Sequence, residues 1–338
     1  MIYAITADWH IEKNKNLDNI IETAHWILSV CLERKITELF ILGDFLNARD
    51  KIDSYALNKA VDLLDLFKDN KIHVTLLLGN HEKYSKTLDY SINSIRIFKH
   101  HAKVIDKFKV IEHDTYNLIF IPFIDSKDIF ETIVEKVKAK IPAGKHNILL
   151  LHQPIQGAVL NSASDREDTI SIAPDLLKPF HTVLSGHYHF RQTLGNIMYV
   201  GSPVQLRHDE EDGNKGLVIF DMQTGTSEFV LNPAFQKYVT INAIEGDIQN
   251  KFVRFRLDAS NCDKEVEIKE ELIQRGAKSI KFIFPTKTDT IIKIDMLNSK
   301  DLEEKYVDSN KASLDKEKLL TMAQTIKQQT RQRLLYAD

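Results

Sequence analysis

The chain has 338 residues, 43% hydrophobic and 28% charged, the balance of a globular protein with one large core and room for a smaller module. A formal net charge of -3 argues against a protein that coats nucleic acid by bulk electrostatics, which needs clustered Lys and Arg, but leaves a local basic groove open. No window reaches the ~20 apolar residues of a membrane span, the start shows no basic n-region or cleavage site, and Cys31 and Cys262 make no disulfide framework, so a cytoplasmic protein with no membrane partner is expected.

Through about residue 231, short apolar runs alternate with helical periodicity. The runs "IYAITA" (2–7), "LFILG" (39–43), "VTLLLG" (74–79), "LIFIPF" (118–123), "ILLLH" (148–152), "TVLSG" (182–186), "IMYVG" (197–201) and "LVIFD" (217–221) predict strands. Several are apolar throughout, as strands covered on both faces should be. Leu17, Ile20, Ile21, Ala24, Ile27, Leu28 and Cys31 form one helical stripe, and Ala56, Leu57, Ala60, Val61, Leu63, Leu64 and Phe67 form another. Strand, helix, strand in succession implies right-handed crossovers and a largely central sheet. From about Gln236 the texture changes: "FVRFRL", "EVEIKEELIQRGA" and "SIKFIF" predict a small strand, helix, strand unit. Residues 313–336 then carry Leu319, Ala323, Ile326 and Leu334 on one stripe, with basic residues scattered outside it.

Polar residues gather behind the strands. Asp8 and His10 follow the first, Asp44 the second, and Asn80 and His81 the third; His152 ends a later strand, and His187 and His189 follow the next. Ligands of open α/β sheets bind outside the carboxyl ends of the strands, so these side chains are expected to converge. Alone, an Asp-x-His or a Gly-Asn-His is ordinary turn chemistry. Five strand ends in order, each bearing a metal-competent residue, point to a site. Imidazole, carboxylate and amide oxygen without thiolate suit Mn, Fe or Zn, and seven candidate ligands are too many for one tetrahedral ion. Two divalent cations against Asp8 and Asp44 leave the site at +2, which suits a phosphate ester. Two ions ~3.5 to 4 Å apart can activate water and stabilise attacking and leaving oxygens of an in-line displacement.

Asp8-x-His10, Gly43-Asp44, Gly79-Asn80-His81-Glu82, His152 and Gly186-His187-x-His189 together resemble the five motifs of calcineurin-like metallophosphoesterases. "YVGSPVQL" (199–206) and "NKGLVIFD" (214–221) resemble the SbcD-type DNA repair and recombination nucleases, including phage versions. The resemblance implies an α/β fold: a layered metallophosphoesterase domain of central β-sheets flanked by helices over 1–238, a small α+β DNA-capping domain over 239–298, and a helical segment over 299–338 that binds an SbcC-type ATPase. It implies that Asp8, His10, Asp44 and His189 hold one ion, that Asp44 bridges, and that Asn80, His152 and His187 hold the other, the ions usually being Mn2+. His81 would be the general acid for the leaving 3' oxygen. Three residues past the bridging aspartate, where these nucleases often place His or Asp, this chain has Asn47, which cannot titrate and is left a role in substrate positioning.

The implied function is a Mn-dependent DNA exonuclease and endonuclease, the nuclease subunit of an SbcCD-type complex in repair, recombination or replication. Arg254, Arg256, Lys278 and Lys281 of the capping unit would face DNA, or else form a solvated sheet face. A homodimer would pair through helices 53–69 and 88–100, the latter with Leu88, Ile92, Ile95 and Phe98 as an apolar stripe, unless these stripes face the core. The alternative is a small-substrate phosphodiesterase or phosphatase of the same superfamily. "GDFLNAR" departs from the "GDxVDRG" of its Ser/Thr phosphatases. A scaffold that lost activity would have lost motif residues, and none is missing.

Overall fold

The computed structural model describes residues 1–284 apart from Lys15, 49–50, 85–91, 140, 142–143, 160–169, 212, 259–260 and 262–263. The expected 299–338 segment, the end of the 239–298 unit, Leu88 and Cys262 lie outside the described residues. In chain order the elements are β1 (Ile2–Thr6), α1 (Leu17–Glu33), β2 (Glu38–Ile41), α2 (Ser54–Asp69), β3 (His73–Leu77), β4 (Lys103–Ile105), β5 (Lys109–Glu112) and β6 (Tyr116–Ile121). Next come α3 (Lys127–Lys138), β7 (His146–His152), β8 (Thr182–Gly186), β9 (Gln192–Leu194), β10 (Ile197–Tyr199), β11 (Gly216–Asp221) and β12 (Ser227–Leu231). The described chain closes with β13 (Tyr238–Ile241), β14 (Phe252–Arg256), α4 (Glu265–Gln274) and β15 (Ser279–Ile283).

There are two large sheets rather than one. The first runs β12-β11-β1-β2-β3-β4, with β1 to β4 parallel, and the second runs β5-β6-β7-β8-β10-β9, with β6, β7, β8 and β10 parallel. Their facing sides share a core: Tyr3, Ile5, Phe40 and Leu77 from the first pack with Leu118, Phe120, Leu150 and Leu184 from the second. Because strand side chains alternate, Ala4, Leu39, Ile41 and Leu76 point the other way, into a core with the predicted stripes of α1 and α2. On the far side, Ile119, Ile121, Leu149 and Leu151 meet Phe130, Val134 and Val137 of α3. The layers are therefore helix, sheet, sheet, helix. Both sheets are covered on both faces, so apolar content alone cannot say which strand joins which sheet.

Local chemistry fixes the helix starts. Asp53 caps α2, its carboxylate accepting from Tyr55 N at 3.0 Å and Ala56 N at 3.1 Å, and Ser126 caps α3 through Ile129 N. The expected helix at 88–100 is corrected over its described part: Ser94–Phe98 is a single 3-10 stretch, and Ile95 and Phe98 are fully buried beside α1 and α2, while Ile92 is exposed.

The third sheet, β13-β14-β15, is parallel throughout, with Val253, Phe255, Ile268 and Leu272 in a core of its own. Glu211 ties it to the larger body by accepting from Thr240 N at 2.8 Å and Arg254 at 3.2 Å. Lys278 donates to Gln236 and covers the Phe252 ring. Arg254 and Lys278 are thus engaged within the chain, whereas Arg256 and Lys281 are exposed.

Candidate metal centre

The seven candidate ligands come together, from the carboxyl ends of two facing sheets. Asp8 and His10 follow β1, Asp44 follows β2 and Asn80 follows β3 on one side; His152 ends β7, and His187 and His189 follow β8 on the other. The sheets touch at Gly186, where a Cβ would sit 2.1 Å from the Leu42 carbonyl oxygen. The glycine serves close approach between strands rather than a turn. Asp8 (φ 56°), His10 (φ 49°), Asp44 (φ 51°) and His187 (φ 91°) all occupy the left-handed region that non-glycine residues avoid. Such strain persists where surrounding structure over-determines it, and it clusters at functional sites. At His187 it also corrects the extended-chain expectation for "HYH": both histidines face the site, but across a left-handed turn, and buried Tyr188 packs against Tyr199.

Asp44 sits between two sets of groups. Its Oδ2 lies 3.5 Å from His10 Nε2, which is 3.1 Å from His189 Nε2. Its Oδ1 lies 3.4 Å from His152 Nε2, which is 2.9 Å from Asn80 Oδ1; His187 Nδ1 is 3.0 Å from the same oxygen. Asp8 lies beside both sets, forming close groups with His10 and His189 and with Asp44 and His152. The protons on the outer ring nitrogens are accounted for: His152 Nδ1 donates to Leu42 O at 2.7 Å, and His189 Nδ1 donates to Glu210 Oε1 at 2.8 Å. Both Nε2 lone pairs are thereby turned inward, toward oxygens and nitrogens that are themselves acceptors. A buried cluster of acceptors needs cations.

The titration behaviour has the same cause. Burial raises the Asp8 carboxyl to about 6, against the pull of His152 and His189. Burial would also raise Asp44, but His152 and His10 overcome it and hold that carboxyl well below its usual range. His10 is held well below the ordinary histidine range by its burial. Nitrogen and oxygen donors of this kind fit two divalent ions of the Mn, Fe or Zn class sharing Asp44.

His81 stands beside this cluster without entering the two sets above. Its backbone N donates to Asp44 Oδ1 at 2.9 Å, and its Nε2 is 3.9 Å from Asp44 Oδ2. Asn47, left with only a positioning role by the sequence, touches it: Asn47 Oδ1 is 2.7 Å from His81 Nδ1, and Asn47 Nδ2 donates to Glu12 Oε2 at 2.6 Å. A cleft of about 340 Å³ opens over these groups, bounded by His10, Glu12, Asn47, Asn80, His81 and Arg207.

Residues 1–191 match the calcineurin-like phosphoesterase family model. The chain belongs to that family. It is 23% identical over 231 residues to exonuclease subunit 1 of Enterobacteria phage T4, covering 67% of this chain and 66% of that protein. It is also 25% identical to the SbcD subunit of the nuclease SbcCD of Staphylococcus epidermidis (76% of this chain, 75% of that one) and 27% identical to its counterpart in Staphylococcus saprophyticus (73% of each). It is a metal-dependent hydrolase of phosphoesters. No helix among the described residues is long and apolar enough to cross a membrane.

Three carboxylates that support the site in this phosphoesterase were not singled out by sequence pattern. Glu82, fully buried, accepts from Gly79 N (3.0 Å), Asp44 N (3.2 Å) and Leu46 N (2.8 Å), pinning the β2 and β3 loops together. Burial and the Asp44 charge raise it to about 8. Glu12 holds Asn47, and Glu210 holds His189. For Glu82, inside the Gly79-Asn80-His81-Glu82 motif, a signal did exist: an acidic residue in a stretch destined for burial must have partners. His208 turns away from the centre, toward Glu211 and the Tyr238 ring.

Proposed function

We propose that this phosphoesterase is a two-metal nuclease that hydrolyses DNA phosphodiesters as an exonuclease and endonuclease, with Mn2+ as its ions. Asp8, His10, Asp44 and His189 hold one ion and Asn80, His152 and His187 the other, with Asp44 shared. The observation that carries this reading is the placement of Asp44, whose two oxygens face the two sets of nitrogen ligands. When bound, the ions supply Lewis acidity at the attacking and leaving oxygens.

The chain's own residues handle the proton. The Glu12 carboxylate only accepts, so the Asn47 amide nitrogen faces it and the amide oxygen faces His81. His81 Nδ1 must then carry a proton, and Nε2 is the atom that gives one up toward the cleft. As the imidazolium, His81 donates Nδ1–H to Asn47 and delivers its Nε2 proton to the leaving 3' oxygen, ending neutral in the tautomer Asn47 selects.

The names of the T4 and staphylococcal relatives support DNA as substrate and an SbcC-type ATPase as partner, engaged by the 299–338 segment. A capping role for 239–298, a homodimer through 53–69 and 88–100, and a cytoplasmic site of action in repair or recombination complete the proposal. In the dimer, the exposed Tyr55 and Ile92 are the available apolar residues of those stretches. The test is to offer the full chain with Mn2+ both linear duplex DNA and bis-p-nitrophenyl phosphate. Degradation of DNA that vanishes in His81→Ala supports the nuclease; hydrolysis of the small ester alone, with the ATPase present, would make it a small-substrate phosphodiesterase.

A further inference from the structure

Behind His189 lies a charged pair that the chemistry above does not use. Lys215 is fully buried, and its ammonium spends all three protons inside the protein: on Glu210 Oε2 at 2.6 Å, Ser202 Oγ at 2.8 Å and the His189 carbonyl oxygen at 2.9 Å. Glu210 is buried too; Oε1 takes the His189 Nδ1 proton at 2.8 Å, and Oε2 also accepts from Leu206 N at 3.2 Å. His189 is therefore gripped at its ring through Glu210 and at its backbone directly by the same ammonium. The pair comes from the stretch between β10 and β11, away from the family motifs that carry the seven ligands.

A buried ion pair is a weak source of stability, because desolvating two charges cancels most of their attraction, and apolar residues of similar volume often do as well. Its retention here calls for another reason. A carboxylate behind a metal-binding imidazole fixes the tautomer, sets the ring's direction and raises its basicity. We infer that Glu210 and Lys215 are positioning residues that build the His189 half of the centre, so that the two ions depend on them unequally. This rests on the two-ion reading above and adds that one ion is selectively tuned from behind. Lys215 keeps Glu210 ionised and stationary; Glu210 keeps His189 Nε2 aimed at His10 Nε2, 3.1 Å away.

The experiment is a Mn2+ titration of the metal-free full chain, free ion being followed by electron paramagnetic resonance, alongside the thermal midpoint in chelator. The variant is Glu210→Gln with Lys215→Met, which removes both charges and keeps the volume. The wild type should take two ions; the double variant should keep one at wild-type affinity and bind the other about 10- to 100-fold more weakly, with its metal-free midpoint little changed. Glu210→Asp, which retains the pair but draws the carboxylate back from His189, should weaken the same ion and serves if the double variant does not fold. Two ions at wild-type affinity in the folded variants, or equal weakening of both, would overturn the inference. A wild type that binds fewer than two ions would instead overturn the two-ion reading, so the two failures are told apart.

Discussion

Asn47 Oδ1 lies 2.7 Å from His81 Nδ1, with Glu12 behind it fixing the amide's orientation. Asn47→Ala should therefore release the ring and lower kcat by about 10- to 100-fold, less than the ~10²- to 10⁴-fold carried by a general acid itself, with metal content unchanged. Asn47→Asp places a negative charge against the imidazolium and should move the alkaline limb of the kcat profile to higher pH. Unchanged kcat in the alanine variant, or an alkaline limb that moves to lower pH in the aspartate variant, would remove Asn47 from the proton path.

His81 and His189 face each other across His10, with ring centroids 4.5 and 5.0 Å from it, yet their substitutions should differ in kind. His81→Ala should abolish turnover and retain both ions, while His189→Ala should lose metal. Elemental analysis after gel filtration reads this directly. Equal loss of metal from both variants would contradict the division between acid and ligand.

Removing the metals should leave a protein that weakens as pH rises from about 6.5 to 9. For Glu82, burial and the Asp44 charge raise the folded carboxyl to about 8 from the usual 4.5. For His152, burial would lower the imidazole, but Asp44 and Asp8 prevail and lift it to about 9 from 6.5. The folded state thus keeps protons that the unfolded chain has released, and stability falls with rising pH wherever that holds. His10 is held low by burial and works the other way, but only until the unfolded imidazole has titrated near 6.5. In chelator the thermal midpoint should fall across this window, and added Mn2+ should offset most of the fall. A midpoint that is flat or rises in chelator would contradict the assignment.

Much of this was legible in the sequence, and the misses share physical causes. All eight predicted strands of the larger body exist, since buried central strands carry dense apolar runs. The five missed strands, β4, β5, β9, β12 and β13, are all edge strands of three to five residues, where one neighbour is absent and the pattern is weak. The seven candidate ligands and His81 were legible because they follow strands in order. Glu12, Glu210 and Lys215 were not, because their partners lie 35, 21 and 5 residues away and only folding brings them together. That His187 and Asp44 would need left-handed backbone was also hidden, since neither is a glycine.

Gly186→Ala tests how tightly the two sheets meet. Its Cβ would lie 2.1 Å from the Leu42 carbonyl oxygen and 2.8 Å from His152 Nδ1, so strands must part and the His152 hydrogen bond to Leu42 must stretch. A loss of about 1 to 3 kcal/mol in urea unfolding is expected from such overpacking, together with weaker binding of the ion held by His152. Wild-type stability and metal affinity would show that the sheets yield there without cost.

The central claim is that this site cuts DNA. End-labelled linear duplex DNA, incubated with the full chain and Mn2+ with and without its SbcC-type ATPase, measures that most directly. Metal-dependent release of labelled nucleotides or fragments, lost on adding chelator and in His81→Ala, is the predicted result. Intact DNA in every reaction with the metal-loaded wild type, the ATPase included, would contradict it.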